Sequence, residues 1–353
     1  MEMDPIIPER PLIYDLDLDQ LSELVKSWGQ PTYRAKQIWQ GIYIQLWRSP
    51  QEFTNLPASL REKMADALHF SGLTPAAVLK SSDGQTVKTL FRLSDQRSIE
   101  AVLMRYEHRQ TLCISSQAGC AMGCTFCATG QMGFKRHLSS GEIAEQVLYY
   151  ARTLKEEGKS VTNVVLMGMG EPFHNYDNTM AAIDRLNHPD GLNLGARRFT
   201  ISTVGLVPMI LKFAAEKRQV NLAISLHATD DSLRSSMMPV DKKYPIAELI
   251  QACHEYIEST GRRLTFEWAL IQDVNDSPEQ AQALAHLLKG MICHVNVIPL
   301  NPTHKFSGTG STRQRAEAFK AELEKAGIPC TVRIRRGIDI QAGCGQLATE
   351  YTT

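Results

Sequence analysis

The chain has 353 residues, of which 43% are hydrophobic, with 38 basic against 38 acidic side chains and a formal net charge of zero. That length suffices for one large domain of about 250 residues plus a smaller one, no apolar run approaches the roughly 18 residues of a membrane span, and zero net charge gives no global pull toward nucleic acid. The eight cysteines, with no basic-then-apolar leader in Met1-Glu2-Met3-Asp4-Pro5, argue for a reducing cytoplasm and for metal or redox chemistry rather than a disulfide scaffold.

Residues 15–70 read as helical. Leu18, Leu21, Leu24 and Val25 recur at helical spacing, as do Ile38, Ile42 and Leu46, and Leu60, Met64, Ala67 and Leu68. Gly29-Gln30-Pro31 and Ser49-Pro50 break these runs, and Asn55-Leu56-Pro57 opens the third. From Ala77 to Tyr106 short β-rich runs turn at Asp83-Gly84 and Ser94-Asp95-Gln96, which predicts two or three antiparallel strands. From about Thr111 strands alternate with helices. The strands are Thr111–Ser115, Val161–Met167, Phe199–Thr203, Val220–Leu226, Leu264–Ile271 and His294–Pro299. The helices are Ser140–Lys155, Asn178–Asn187, Val207–Glu216, Ile246–Ser259, Glu279–Leu288 and Gln314–Ala326. Such alternation predicts an α/β fold with a parallel sheet and helices outside. Six units are too few for an eight-stranded barrel, so a partial (β/α)6 barrel is expected. The chain divides into a helical module (1–72), a β extension (73–108), the barrel (109–340) and a C-terminal tail (341–353).

Cys120, Cys124 and Cys127 stand in the run Gly-Cys-Ala-Met-Gly-Cys-Thr-Phe-Cys. Three thiolates at C-x3-C-x2-C fit three corners of a cubane [4Fe–4S] cluster and leave the fourth iron open to an external chelating ligand, whereas electron-transfer clusters usually carry four cysteines. A zinc site would more often show a second C-x2-C pair, and none lies nearby. The loop follows the first barrel strand, at the end where barrel folds gather function, and Gly119, Gly123 and Gly130 permit tight turns in it. Cys113, inside that strand, is a poor fourth ligand. Gly168-Met169-Gly170-Glu171-Pro172 ends the second strand, and Glu171 is suited to accept hydrogen bonds from an ammonium group; a plain Gly-Glu-Pro turn is the alternative. Gly343-Cys344-Gly345 sets a cysteine between glycines, where it is unlikely to pack a core, while Cys253, Cys293 and Cys330 lie in apolar periodic segments and read as buried hydrophobes. Between Ser311 and Gly337 seven basic residues face three acidic ones, and Lys135-Arg136-His137 and Arg197-Arg198 add short basic clusters; solvated helix faces and strand ends explain any one of these equally well.

The cysteine run, with Phe126 before its third cysteine, resembles the radical S-adenosylmethionine superfamily. Ser115-Ser116-Gln117, Cys127-Ala128-Thr129-Gly130, Met167-Gly168-Met169-Gly170-Glu171-Pro172, Ser225-Leu226-His227 and Ala342-Gly343-Cys344-Gly345-Gln346-Leu347 together resemble the RlmN/Cfr family of RNA adenosine methyltransferases, over about Tyr33 to Tyr351. The resemblance implies one [4Fe–4S] cluster on Cys120, Cys124 and Cys127, and two molecules of S-adenosylmethionine per turnover. It implies cofactor contacts at Gly170, Glu171, Ser202, Ser225, Leu226, His227 and Asn301, although a histidine such as His227 is by itself more often structural. The implied substrate is an adenosine of the peptidyl-transferase loop of 23S rRNA, methylated at carbon 2, with an anticodon-loop adenosine of tRNAs as a further target. A flavodoxin or ferredoxin would supply electrons. A cytoplasmic monomer without membrane attachment is expected.

An adenine ring carbon bearing hydrogen is not nucleophilic and cannot attack a methyl sulfonium directly. The resemblance implies that Cys344 first accepts a methyl group as a thiolate. A radical formed on that methyl then adds to the ring, leaving a covalent enzyme–RNA adduct. Cys113 resembles the family's resolving thiol, which implies a transient Cys113–Cys344 disulfide. Glu100 resembles the proton acceptor; a solvated strand-face residue is the alternative for Glu100, and Cys113 is a rival base. Methylation at carbon 8 of the same adenosine is the nearest competing activity, and a non-methylating iron–sulfur RNA-binding protein or radical chemistry on a small metabolite are further ones. Pro172 follows Glu171 where the carbon-8 branch tends to carry alanine, and Gln341-Ala342-Gly343 precedes Cys344 where the family usually reads Asp-Ala-Ala.

Overall fold

A computed structural model of the protein describes residues 10–303 and 305–348. The first nine residues of the expected helical module and the last five of the expected tail lie outside the described residues.

Three short helices come first: α1 (Leu18–Ser27), α2 (Tyr33–Gln40) and α3 (Ala58–Ala67). Asp17 caps α1 reciprocally, its carboxylate accepting from Gln20 N while the Gln20 side chain accepts from Asp17 N. Leu21, Val25, Ile38, Trp39, Leu60 and Met64 turn inward. Strands β1 (Leu73–Lys80), β2 (Thr86–Leu93) and β3 (Ser98–Arg105) follow, turning where the sequence predicts.

The rest of the chain alternates. Its strands are β4 (Gln110–Cys113), β5 (Gln117–Gly119), β6 (Phe134–His137), β7 (Asn163–Leu166), β8 (Phe199–Thr203), β9 (Asn221–Ser225), β10 (Leu264–Leu270), β11 (Cys293–Pro299) and β12 (Cys330–Val332). Its helices are α4 (Ala128–Gln131), α5 (Ser140–Glu156), α6 (Tyr176–Asn187), α7 (Val207–Glu216), α8 (Asp231–Met237), α9 (Ile246–Thr260), α10 (Pro278–Leu287) and α11 (Arg313–Lys325). Ten strands form one sheet in the order β1-β2-β3-β4-β7-β8-β9-β10-β11-β12, antiparallel up to β4 and parallel from β4 to β12. The parallel part therefore has one strand more than expected. β12 escapes a periodicity reading because it spans only three residues, as do the short β5–β6 hairpin and α8. The antiparallel strands are continuous with the barrel, since Val102 of β3 pairs with Cys113 of β4.

Strand patterning explains the curl. On β10, Leu264, Phe266, Trp268 and Leu270 are fully buried under the outer helices, while Thr265, Glu267 and Ala269 face inward. Leu222 and Ile224 of β9 and Val295 and Val297 of β11 repeat the outward apolar row. Inward residues of β4 and β7–β12 line one groove, so the sheet wraps around it as a partial barrel. Among the described residues no helix is long and apolar enough to cross a membrane.

The helical module docks against α5 and α6, on the outside of the barrel. Asp15 accepts from Gly141 N at 2.6 Å and from Ser140 Oγ at 3.1 Å, supplying an extra cap to α5. Arg152 donates to Leu46 O and to Tyr14 Oη, and Arg185 donates to the carbonyls of Leu16 and Asp15. Asp15→Ala is expected to cost about 1–2 kcal/mol, the usual cost of losing a helix cap, read as a lower urea midpoint with unchanged slope.

Candidate active site

Cys120 and Cys124 are buried and Cys127 half-buried in the loop between β5 and α4. The loop closes on itself through Cys120 N to Gly133 O (3.1 Å) and Cys127 N to Cys124 O (3.2 Å). A Cβ on Gly130 would stand 2.8 Å from Cys124 O, so the backbone can approach only because that residue is glycine. Burial pushes all three thiols up, Cys120 to about 12, and at Cys124 the other two cysteines push in the same direction. Three enclosed thiols of this kind ionise only against a strong local cation, which suits iron. Among the described residues no three His, Cys, Asp or Glu side chains converge on a single-ion point.

Beside this loop lies a cavity of about 170 Å³ lined by Cys124, Cys127, Gly170, Glu171, Ser202, Ser225, His227, Asn301 and Cys344, among others. Gly170 has φ +98°, and a Cβ there would meet the Gln117 side chain. The Glu171 carboxylate accepts from Phe173 N (3.0 Å) and Val204 N (2.8 Å), and its burial lifts the pKa to about 7. The Thr203 side chain adds a further hydrogen bond, and a buried carboxylate held by neutral donors alone suits an ammonium partner. Ser202 Oγ and Ser225 Oγ stand 3.5 Å apart. His227 sits at φ +64°, a costly conformation for a non-glycine residue and one that functional sites tend to retain. Its Nδ1 accepts from Ala269 N at 2.9 Å, and burial lowers its pKa to about 3, so the ring is neutral with its proton on Nε2. Leu226 does not reach the cavity. Its side chain is in the core, its N–H donates to Glu267 O, and its carbonyl accepts from Arg234 Nε. Arg234, fully buried and paired with Asp241 at 2.8 Å, also donates to Val204 O and thereby fixes the turns on either side.

The tail is stitched to both halves of the site. Ala128 N donates to Gly345 O (2.8 Å) and Thr129 Oγ1 to Leu347 O (2.6 Å). Asn301 Nδ2 donates to Cys344 O (3.1 Å), and Gln346 Nε2 to Pro302 O (3.0 Å). A Cβ on Gly343 would lie 2.6 Å from Asn301 Nδ2, and Gln341 takes a left-handed conformation, φ +52°; these are two of the positions where the tail departs from the family's usual residues. On the other side, Lys88 and Glu100 form a buried ion pair at 2.9 Å. Lys88 Nζ donates to Gln341 O (3.2 Å), and Glu100 Oε2 accepts from Ala348 N (3.0 Å). Glu100 lines neither cavity, because its carboxylate is spent on Lys88 and the tail backbone.

A second, larger cavity of about 960 Å³ runs down the barrel interior. Cys113 and Cys344 both line it, and solvent reaches Cys344 through it. Burial pushes the Cys113 thiol up, with Cys344 adding to the effect; the enclosing barrel walls raise Cys344 as well, followed by the charge of Glu267, although its surface stays open to the groove. Arg109, Arg197, Arg262, Arg263, Arg333, Arg335 and Arg336 also line this groove. Arg109 and Arg336 stack on the Tyr106 ring at 4.2 and 4.4 Å. The basic stretch 311–337 thus divides. On α11, Arg315 pairs with Asp273 and Asp276, Lys320 with Glu324 and Lys325 with Glu322, a solvated face; Arg333, Arg335 and Arg336 turn to the groove.

Residues 114–285 match the family described as the radical SAM superfamily, and residues 13–69 the ribosomal RNA large subunit methyltransferase N-terminal domain. The chain is 48% identical to a probable dual-specificity RNA methyltransferase RlmN of Chloroflexus aurantiacus, over 98% of this chain and 94% of that relative. It is 47% identical to the dual-specificity RNA methyltransferase RlmN 1 of Myxococcus xanthus, over 95% and 93%. The crystal structure of a radical SAM methyltransferase from Sphaerobacter thermophilus matches with TM-score 0.94 and 50% identity, over 96% of this chain and 99% of that one. The chain belongs to the RlmN family of radical SAM methyltransferases. It is therefore an S-adenosylmethionine-dependent RNA methyltransferase that uses a [4Fe–4S] cluster.

Within this RlmN-type site, sequence reasoning missed Lys88, Arg234 and Glu267. Lys88 and Arg234 pair across sequence, with partners that no local pattern marks. Glu267 left a signal, a lone acid within Leu-Thr-Phe-Glu-Trp. Lys88→Met is expected to cost about 3–5 kcal/mol, since it leaves a buried carboxylate unpaired. It should also speed amide exchange across residues 341–348. Adding Glu100→Gln should recover part of the stability, as chemical denaturation would show.

Proposed function

We propose that this chain methylates carbon 2 of an adenosine in the peptidyl-transferase loop of 23S rRNA, and an anticodon-loop adenosine in tRNAs, with Cys344 as the methyl carrier. The observation carrying this reading is the position of Cys344, which lines the cavity beside the cysteine loop and the arginine-lined groove at once. The names of the relatives, dual-specificity RNA methyltransferases, support the two RNA classes. When bound, S-adenosylmethionine at the cluster supplies the methyl group and the radical.

The chain's own residues do the rest. Cys120, Cys124 and Cys127 hold the cluster, and Glu171 takes the methionine ammonium while Ser202, Ser225, neutral His227 and Asn301 offer polar contacts around it. Cys344 Sγ bonds the methyl carbon as that carbon's bond to the donor sulfonium breaks, so that S-adenosylhomocysteine leaves and the thiol proton passes to solvent in the groove. Glu100 is assigned as the acceptor of the ring proton, with Lys88 paired to it at 2.9 Å; as it is bound to the tail backbone, that role calls for the tail to shift at Ala348. Cys113 thiolate then attacks Cys344 Sγ. A Cys113–Cys344 bond forms, the bond from Cys344 to the transferred carbon breaks, its electron pair stays with the carbon and takes a proton, and an external thiol reduces the disulfide. The burial that raises Cys113 keeps it protonated until this step. A flavodoxin- or ferredoxin-type donor and a monomeric, cytoplasmic enzyme complete the proposal.

Nucleoside analysis of treated rRNA and tRNA is expected to show 2-methyladenosine with the native chain and none with Cys344→Ala; 8-methyladenosine instead would overturn the ring position. Peptide mass mapping should find one methyl on Cys344, and Cys113→Ala should accumulate a covalent protein–RNA adduct. The Glu171 carboxyl near 7 gives a pH test. Below that value it is protonated and offers the ammonium no charge, so affinity for S-adenosylmethionine should rise with pH through about 7. In Glu171→Gln the calorimetric profile should be weak and flat.

A further inference from the structure

Five residues line both cavities: Met167, Glu267, Ile298, Asn301 and Cys344. They form the seam where cofactor space opens into substrate space. Two of them carry a buried polar atom without a partner, Asn301 Oδ1 and Glu267 Oε2. Glu267 is 4% exposed. Its Oε1 accepts from Asn296 Nδ2 at 2.8 Å, and Asn296 is its register neighbour on β11, which fixes the carboxylate plane and leaves Oε2 bare. One inward step up β10, Ala269 lines only the cofactor cavity; one step down, Thr265 lines only the groove. Glu267 therefore marks the depth at which the two spaces meet.

A buried, bare carboxylate oxygen is costly unless a ligand brings a donor. On a nucleoside adenine the exocyclic amino group is the only base N–H donor. Carbon 2 and the amino-bearing carbon flank the same ring nitrogen, so a ring presenting carbon 2 to Cys344 presents its amino group along that same edge. We propose that Glu267 Oε2 accepts a hydrogen bond from the exocyclic amino group of the target adenine and makes the site selective for adenine. This rests on the reading of adenosine as target.

The test is a cycle between enzyme and RNA. One hairpin carries the target adenosine; the other carries purine ribonucleoside there, with hydrogen replacing the amino group. Native enzyme should favour adenosine by about 10–100-fold in kcat/KM and in hairpin Kd, the range of one well-made base contact. Glu267→Gln keeps an acceptor for Asn296 and turns a donor toward the ring, so its preference should fall to within about threefold. Taking the ratio of ratios cancels the different reactivity of the two rings. Glu267→Met, which has no acceptor, should behave likewise, with Tm and iron content showing that both variants fold and load. A preference that survives in both variants overturns the proposal. So does a weakened Kd for S-adenosylmethionine with the preference kept, which would assign Glu267 to the cofactor's own adenine. If native enzyme methylates neither hairpin, the adenosine reading fails instead, and the hairpin Kd ratio still decides whether Glu267 reads the amino group.

Discussion

The structure depends on a sheet that is apolar outside and polar inside. Closed eight-stranded barrels fill their interiors with layers of branched apolar side chains. Here the inner rows of β8 to β11 carry Thr200, Ser202, Asn221, Ser225, Thr265, Glu267, His294 and Asn296. Such side chains neither fill the space nor hold each other's polar atoms fully, so the interior stays open to ligands. The outer rows bury against helices and carry the stability. Folding and binding are thereby assigned to opposite faces of the same strands.

Cys344 is held by another principle. Around Cys344 the contacts are mostly hydrogen bonds to the tail's carbonyls, from α4 on one side and from Asn301 on the other, with Leu347 as the buried apolar anchor. Hydrogen bonds fix direction better than apolar burial does, but each adds only about 1 kcal/mol net. The Lys88–Glu100 pair adds a strong point in a dry place. A segment held this way keeps one geometry yet needs few bonds broken to let go, which suits the carrier role proposed for Cys344.

Much of this was legible in the sequence. The six longer parallel strands and the helices between them follow from hydrophobic period, because outer rows and helix faces obey the same burial rule. The cysteine loop and Glu171 were legible because their spacing is local. What escaped was set across the chain. Glu100 reads as one more strand residue until Lys88 on the neighbouring strand and the tail backbone close on it. Leu226 lies between two cavity residues, and only the structure shows that strand alternation turns it outward. The seven basic residues of 311–337 looked alike, and folding separates paired helix charges from those facing the groove.

The tail's bonds to Ala128 and Thr129 have a further consequence. Those residues begin α4 directly after Cys127, so the loop that carries Cys120, Cys124 and Cys127 is also the bed on which Cys344 lies. Damage to that loop, by oxidation of its thiols or by failed maturation, would loosen the bed of Cys344 together with the cysteine loop, so that the two parts of the proposed mechanism would be lost in one event.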